Sequence, residues 1–160
     1  MQARGKPFSV ISLPHAHARL RCGPHPVAGL DIIGRVEFRQ KCQAVAEWYD
    51  GQEAYPGIAC SGELTISENV ADLSAAKCIV AAAKKLDHPD LDKLFRAVAN
   101  TWASTTSRQM REYLATMDVH APDKLRCNRV LQTIAEFYET YDIQPGDGMW
   151  TDPQSRVTVW

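Results

Sequence analysis

The feature that most constrains the fold is an alanine-rich segment in the first half of the chain. Six alanines lie between residues 71 and 83, and alanine has the highest helix propensity. The segment predicts a helix from about Leu64 or Ser67 to Leu86, which His88-Pro89 would end because the residue before proline avoids the helical region. Small side chains allow neighbouring helices to approach closely, so we expect this helix to pack inside a helical domain.

Apolar residues at helical spacing predict further helices on both sides of this segment. A first stripe runs from Phe38 to Tyr49 and ends at Asp50-Gly51, and Asp90 can cap a helix that reaches Trp102. Other helices are expected at about Ser107 to Thr116, Lys124 to Thr133 and Ala135 to Tyr141, and a loop through Pro56-Gly57 and Ser61-Gly62. The alternation from Arg156 to Trp160 predicts a terminal strand or an extended tail. The fold class is therefore mainly α with little strand.

The first 36 residues differ in composition from the rest. Between Pro14 and Pro26 the chain has three prolines, three histidines and two arginines, without a helical or a strand period. This pattern predicts an irregular N-terminal segment at 1–36, followed by a helical part at 37–160.

Charge and cysteine content exclude several classes of protein. The 18 basic and 19 acidic residues give a formal net charge of -1, which argues against a nucleic-acid-binding protein. No stretch approaches the ~20 apolar residues of a membrane helix, and the N-terminus does not look like a signal peptide. The five cysteines are an odd number without Cys-x-x-Cys spacing. We therefore expect free thiols and a cytoplasmic location.

Two groups of polar residues could perform chemistry. Glu68 and Asp72 are four residues apart, so on a helix both carboxylates point the same way and could bind a metal directly or hold a metal-bound histidine. A solvated acidic face near a helix N-terminus is the alternative.

The second group is Asp118-Val119-His120-Ala121-Pro122 with Arg126. A loop histidine can donate a hydrogen bond to an oxyanion, and an arginine can hold a carbonyl or a carboxylate. Alternatively, His120 bonds a backbone carbonyl and Arg126 pairs with Asp118 or Asp123. His15 and His17 could also bind a metal, but a third ligand at a defined spacing is lacking.

Both groups and their flanking residues resemble the signatures of neprilysin-type zinc metallopeptidases. Gly62 to Asp72 is similar to the family's Gly-x-Leu-Thr-x-x-Glu-Asn-[Ile/Val]-Ala-Asp, and Asp118 to Pro122 followed by Arg126-x-Asn128 is similar to its second C-terminal signature. Glu136-Phe137-Tyr138 and the stretch from Gly146 to Trp160 match as well. The resemblance covers about residues 37–160.

The resemblance implies a fold and a set of roles. The fold would be the C-terminal helical part of a zincin-like (thermolysin-like) domain. Glu68 would be the third protein ligand of a catalytic Zn2+, and Asp72 would orient a zinc-bound histidine. His120 would stabilise the oxyanion, and Arg126 would hold the substrate backbone. Peptides would be the substrates, usually cut before an apolar residue.

The sequence lacks the His-Glu-x-x-His motif that supplies two zinc ligands and the general base in this family. Three hypotheses follow. The chain is a C-terminal fragment, inactive alone, from a truncated or frameshifted gene that has lost the N-terminal peptidase portion. It is a half-enzyme that a second chain completes. Or it is a non-catalytic module that binds peptides or other proteins.

Overall fold

The computed structural model describes residues 32–160, which form six α-helices and one short hairpin. The elements are α1 (Ile32–Tyr49), β1 (Glu53–Tyr55), β2 (Ile58–Ala59), α2 (Gly62–Ala83), α3 (Leu91–Thr101), α4 (Arg108–Met117), α5 (Asp123–Leu131), α6 (Ala135–Tyr141) and a 3-10 turn at Pro153–Ser155. The prediction of a mainly helical fold with little strand is confirmed.

Local signals fix where three of the six described helices begin. Asp90 accepts a hydrogen bond from the Lys93 amide and caps α3, as predicted. Ser107 caps α4 in the same way. The helix α2 begins at Gly62, a few residues before the predicted start, because the Ser61 side chain caps it. It ends at Ala83, three residues before the predicted end.

The segment predicted as a loop around Pro56-Gly57 contains a small antiparallel hairpin instead. Strands β1 and β2 pair with Glu53 opposite Ala59, and Gly57 turns the chain with a φ of +74°. Strands of three and two residues are too short to show an alternating pattern, so the sequence gives only the turn. The hairpin matters because it lies beside the candidate site described below.

The main core lies where α1 crosses α2. Gly62 makes this close approach possible, since a Cβ atom there would lie 1.9 Å from the Ala46 carbonyl oxygen. The buried residues of this core come from α1, α2, α5, the hairpin and the C-terminal tail: Cys42, Val45, Tyr49, Ala54, Cys60, Val70, Leu73, Ala121, Leu125, Val130 and Val159. This packing fixes the position of α2 relative to its neighbours, and with it the positions of the Glu68 and Asp72 carboxylates.

A second core joins the end of α2 to α3, α5 and α6. It buries Val80, Phe95, Leu131, Ile134, Phe137 and Tyr138. The rings of Phe95 and Phe137 meet edge to face with centroids 5.4 Å apart. The C-terminal tail beyond Arg156 is extended rather than a strand, and the Trp160 indole N–H donates to Ser74 of α2.

One face of α4 is apolar and exposed. Met110, Tyr113, Leu114 and Met117 lie at i, i+3, i+4 and i+7 and are 38–65% exposed. None of the described helices is long and apolar enough to cross a membrane. Residues 1–31, including His15 and His17, lie outside the described part, so the predicted irregular N-terminal segment stays a prediction there; α1 already begins at Ile32, before the division predicted at residue 36.

Candidate active site

Glu68 and Asp72 lie one turn apart on α2, and buried polar contacts hold this part of the helix in place. The Thr65 hydroxyl donates to the Ser61 carbonyl oxygen and accepts from the Asn69 side chain at 2.8 Å. Asn69 is fully buried. Because these contacts face the core, Glu68 extends toward the segment between α4 and α5, and Asp72 extends toward α5.

His120 lies in that segment and faces Glu68. Its Nδ1 is 2.7 Å from Asp118 Oδ1, which also accepts a hydrogen bond from the His120 backbone amide. Its Nε2 is 3.4 Å from Glu68 Oε2. Burial alone would raise the pKa of the Asp118 carboxyl, but the contacts with His120 lower it below its usual value. Asp118 therefore fixes which ring nitrogen of His120 faces Glu68. The sequence did not assign this role to Asp118, although the residue belongs to the same motif.

Arg126 pairs with Asp72, not with Asp118 or Asp123. Its Nε and one Nη donate to the two Asp72 oxygens at 2.7 and 2.9 Å, and both side chains are about 15% exposed. The guanidinium also lies 3.9 Å above the Trp102 ring. Burial opposes the charge, yet the hydrogen bonds and the charge of Asp72 raise the pKa of Arg126 above its usual value. Arg126 is thus a rigid, charged donor at the centre of the site.

Two cavities flank Arg126. An apolar cavity of about 130 Å³ lies between α2, α3 and α5, with Asp72 and Arg126 at its edge and apolar walls formed by residues that include Ala75, Ile79, Val98, Trp102 and Val130. The sequence predicts only that Trp102 lies at the end of the helix that begins after Asp90, because helical spacing cannot reveal which cavity a ring borders. A second cavity of about 180 Å³ lies on the side of the hairpin and α4, and it is lined by Arg111, His120 and Arg126, among others. We call it the Arg111 cavity.

The described residues do not supply a complete zinc site. Glu68 offers a carboxylate that is 38% exposed beside His120, and carboxylate oxygen is a suitable zinc ligand. No group of three or more histidine, cysteine, aspartate or glutamate side chains in residues 32–160 could hold a metal. A catalytic zinc usually needs three protein ligands, so residues 32–160 do not fit a zinc ion by themselves.

The sequence model of peptidase family M13 matches residues 30–157. The chain belongs to this family. Its relatives include a neutral endopeptidase of Lactococcus lactis, 37% identical over 123 residues, and one of Lactobacillus helveticus, 35% identical over 124 residues. These matches cover 77 and 78% of this chain but 20 and 19% of the relatives. The M13 chain described here thus spans about a fifth of their length.

Solved structures of M13 peptidases have the same fold in the matched part. The structure of PepO from Lactobacillus rhamnosis superposes with a TM-score of 0.70 at 36% identity and covers 79% of this chain and 20% of that one. The zinc metalloprotease Zmp1 of Mycobacterium tuberculosis, in complex with an inhibitor, gives 0.69 at 26% identity, with 79 and 22% covered. The resemblance to neprilysin-type metallopeptidases is confirmed, and zinc and peptide substrates are implied for the parent family.

Proposed function

We propose that residues 37–160 form the C-terminal part of a zinc metalloendopeptidase active site, and that the 160 residues do not cleave peptides on their own. The observation that carries the proposal is the convergence of two distant segments. Glu68 and Asp72 of α2 meet His120 and Arg126, which follow them by about fifty residues, through contacts of 2.7 to 3.4 Å. Surface charges without a common role would not need to converge.

Glu68 is the residue that we propose as a zinc ligand. Its carboxylate forms no ion pair with an arginine or lysine in the described part and is 3.4 Å from His120 Nε2, whereas both oxygens of Asp72 accept bonds from Arg126 and Asp118 bonds the ring and the amide of His120. Each Asp72 oxygen keeps a second lone pair, so Asp72 can still orient a metal-bound histidine. The zinc ion, when bound, would polarise the scissile carbonyl and activate a water molecule.

His120 and Arg126 would act on the peptide itself. His120 contacts Asp118 through Nδ1, so its Nε2, which faces Glu68, would be the nitrogen that donates to a developing oxyanion. Arg126 uses two of its five N–H donors on Asp72. The other three remain for a substrate carbonyl. The apolar cavity beside Arg126 would take the apolar side chain that follows the scissile bond.

The remaining zinc ligands and the general base would come from residues outside the printed sequence, since His-Glu-x-x-His is absent from it. They would be supplied by the rest of a longer polypeptide or by a second chain. A peptide-binding role without catalysis is the second candidate. It is favoured by the Asp72–Arg126 pair and the two cavities, which residues 32–160 form by themselves.

A chimera tests the proposal. Residues 37–160 replace the matching part of the Lactococcus lactis neutral endopeptidase, and bound zinc and peptide cleavage are measured. We expect an active chimera in which Glu68→Gln removes both the zinc and the activity. Glu63 is an exposed residue of the same helix, so Glu63→Gln is the matched control and should retain both. His120→Ala should lower kcat by about 10²–10³-fold with the zinc still bound, and His88→Ala should have no effect.

Two outcomes would contradict the proposal. Zinc and cleavage that survive Glu68→Gln would remove Glu68 from the metal site. Cleavage by the isolated 160-residue chain, sensitive to the same substitutions, would show that it needs no further ligands. A chimera that is folded and inactive, but binds peptides less well after Arg126→Ala, would favour the non-catalytic candidate.

A further inference from the structure

Arg111 occupies an unusual position in the Arg111 cavity. Its guanidinium lies 4.0 Å above the Tyr55 ring, and its Nε is buried without a hydrogen-bond partner among residues 32–160. Its side chain forms no ion pair in the described part of the chain, whereas Arg126 pairs with Asp72 and Arg108 pairs with Glu112. A buried donor without an acceptor is costly, so this position favours a ligand that supplies acceptor oxygens.

The acidic residues of the cavity are already engaged. Asp118 bonds His120 through the backbone amide and the ring nitrogen, and Asp123 accepts a hydrogen bond from the Ser104 hydroxyl. Neither carboxylate bonds Arg111. The positive charge of Arg111 is therefore left for a group that enters the cavity from outside.

The shape and the walls of the cavity indicate what that group is. About 180 Å³ is more than ten times the roughly 10–15 Å³ that one water molecule needs. Ile58, Leu114 and Ala121 add apolar wall to the cavity, which strengthens a charged contact inside it. A guanidinium matches the two oxygens of a carboxylate. The nearby Asp118 and Asp123 would repel a doubly charged phosphate more than a singly charged carboxylate.

We propose that the Arg111 cavity binds a carboxylate group of a peptide ligand through the guanidinium of Arg111. The carboxylate is either the C-terminus of the peptide or an acidic side chain. His120 and Arg126 line the same cavity, so one peptide could contact them and Arg111 together. If carboxylate binding at Arg111 selects substrates, that role rests on the proposed function. The binding of a carboxylate to Arg111 itself needs no metal.

The test uses the ¹⁵N-labelled 160-residue chain in metal-free buffer and three probe peptides. These are acetyl-trialanine with a free C-terminus, its C-terminal amide, and acetyl-Ala-Asp-Ala amide. Binding is followed by NMR, including the Nε–H signals of the arginines. We expect at least one carboxylate peptide to bind about tenfold or more tightly than the neutral amide, with a shift of the Arg111 signal. A tighter free acid would identify the C-terminus as the source, and a tighter Asp peptide would identify the side chain.

Substitutions separate a specific site from general charge attraction. Arg111→Gln should abolish the preference for carboxylates. The matched control Arg108→Gln removes the same charge from the same helix, where Arg108 is 68% exposed, and should keep the preference. If Arg111→Gln does not fold, Arg111→Lys keeps the charge without the planar fork and should weaken carboxylate binding severalfold.

The proposal is overturned if the amide binds as tightly as both carboxylate peptides, or if Arg111→Gln binds them like the wild type. Equal losses in the Arg108 and Arg111 variants would also overturn it, because they would indicate nonspecific charge attraction. A failure of the proposed function would appear elsewhere, as a chimera that lacks zinc, and would leave these affinities unaffected.

Discussion

The position of α2 against α1 should depend on the missing side chain of Gly62, and Gly62→Ala tests this. The new Cβ would lie 1.9 Å from the Ala46 carbonyl oxygen and 2.7 Å from its carbon, against a normal separation of about 3.5 Å. The clash is with the backbone of α1, so a rotamer change cannot relieve it. The helices must separate locally by about 1.5 Å, roughly the difference between the 1.9 Å separation from the carbonyl oxygen and the normal separation.

The expected loss of stability follows from this movement. Overpacking of a tight core costs about 1–3 kcal/mol. The hydrogen bond from the Gly62 amide to Asp50, 3.1 Å long, would weaken as well, at about 1 kcal/mol. Alanine regains at most about 1 kcal/mol through helix propensity. We therefore expect the free energy of unfolding to fall by about 1–3 kcal/mol, a large share of the ~5–15 kcal/mol typical of a domain.

Urea unfolding followed by circular dichroism measures this loss. Gly148→Ala is the matched control, because no atom of the described residues lies within 4 Å of a Cβ at that position, and it should change stability by less than about 0.5 kcal/mol. The Arg126 Nε–H signal gives a second readout, since a shift of α2 moves Asp72. A Gly62→Ala protein as stable as the control variant, with an unchanged Arg126 signal, would refute the reasoning.

Three further predictions concern the core, the surface charges and α4. The buried Tyr49 hydroxyl has no hydrogen-bond partner among residues 32–160, so Tyr49→Phe should leave thermal stability equal or higher. Tyr138→Phe should lower it by about 1 kcal/mol, because that hydroxyl donates its hydrogen to the Gln132 carbonyl at 2.9 Å, with the Met149 carbonyl also near at 3.2 Å; the reverse order would contradict this. Lys84 lowers the pKa of Glu136, so Lys84→Gln should raise the Glu136 pKa in an NMR titration. The ion pair stabilises the fold at pH values above the pKa of an unfolded glutamate, about 4.3. This stabilisation is lost as the pH falls through the lower pKa that Glu136 has in the folded protein. The exposed stripe of α4 should promote self-association, and Met117→Glu should reduce it in light scattering; a wild-type protein that stays monomeric at high concentration would count against this.

The sequence was sufficient for the helices because their signals are local. Capping residues such as Asp90 and Ser107 act within a few positions, and the helical period of the apolar residues supplies the rest, whereas the end of α2 at Ala83 comes before the predicted stop at His88-Pro89. The hairpin was missed because strands of two and three residues carry no period. Glu68 and Asp72 could be paired from their spacing alone, since four residues make about one helical turn.

The candidate site needed information that a single sequence does not contain. Spacing could not show that Arg126 reaches Asp72, 54 positions away, and only the family resemblance placed the two segments in one site. The part played by Asp118 depends on which nitrogen of His120 it contacts, a detail of the folded loop. Arg111 was not singled out, because its missing partner becomes visible only once its neighbours are in place.

Arg126 joins three parts of the chain at once: a carboxylate on α2, an indole ring at the end of α3, and its own helix α5. A change at residue 72 leaves a buried cation without its counter-charge, and a change at 102 removes the surface on which that cation lies. A single substitution at either position therefore gives a less stable protein, from which a second substitution would have to recover. Across M13 sequences, positions 72, 102 and 126 should covary, and libraries that seek new specificity should vary the three together.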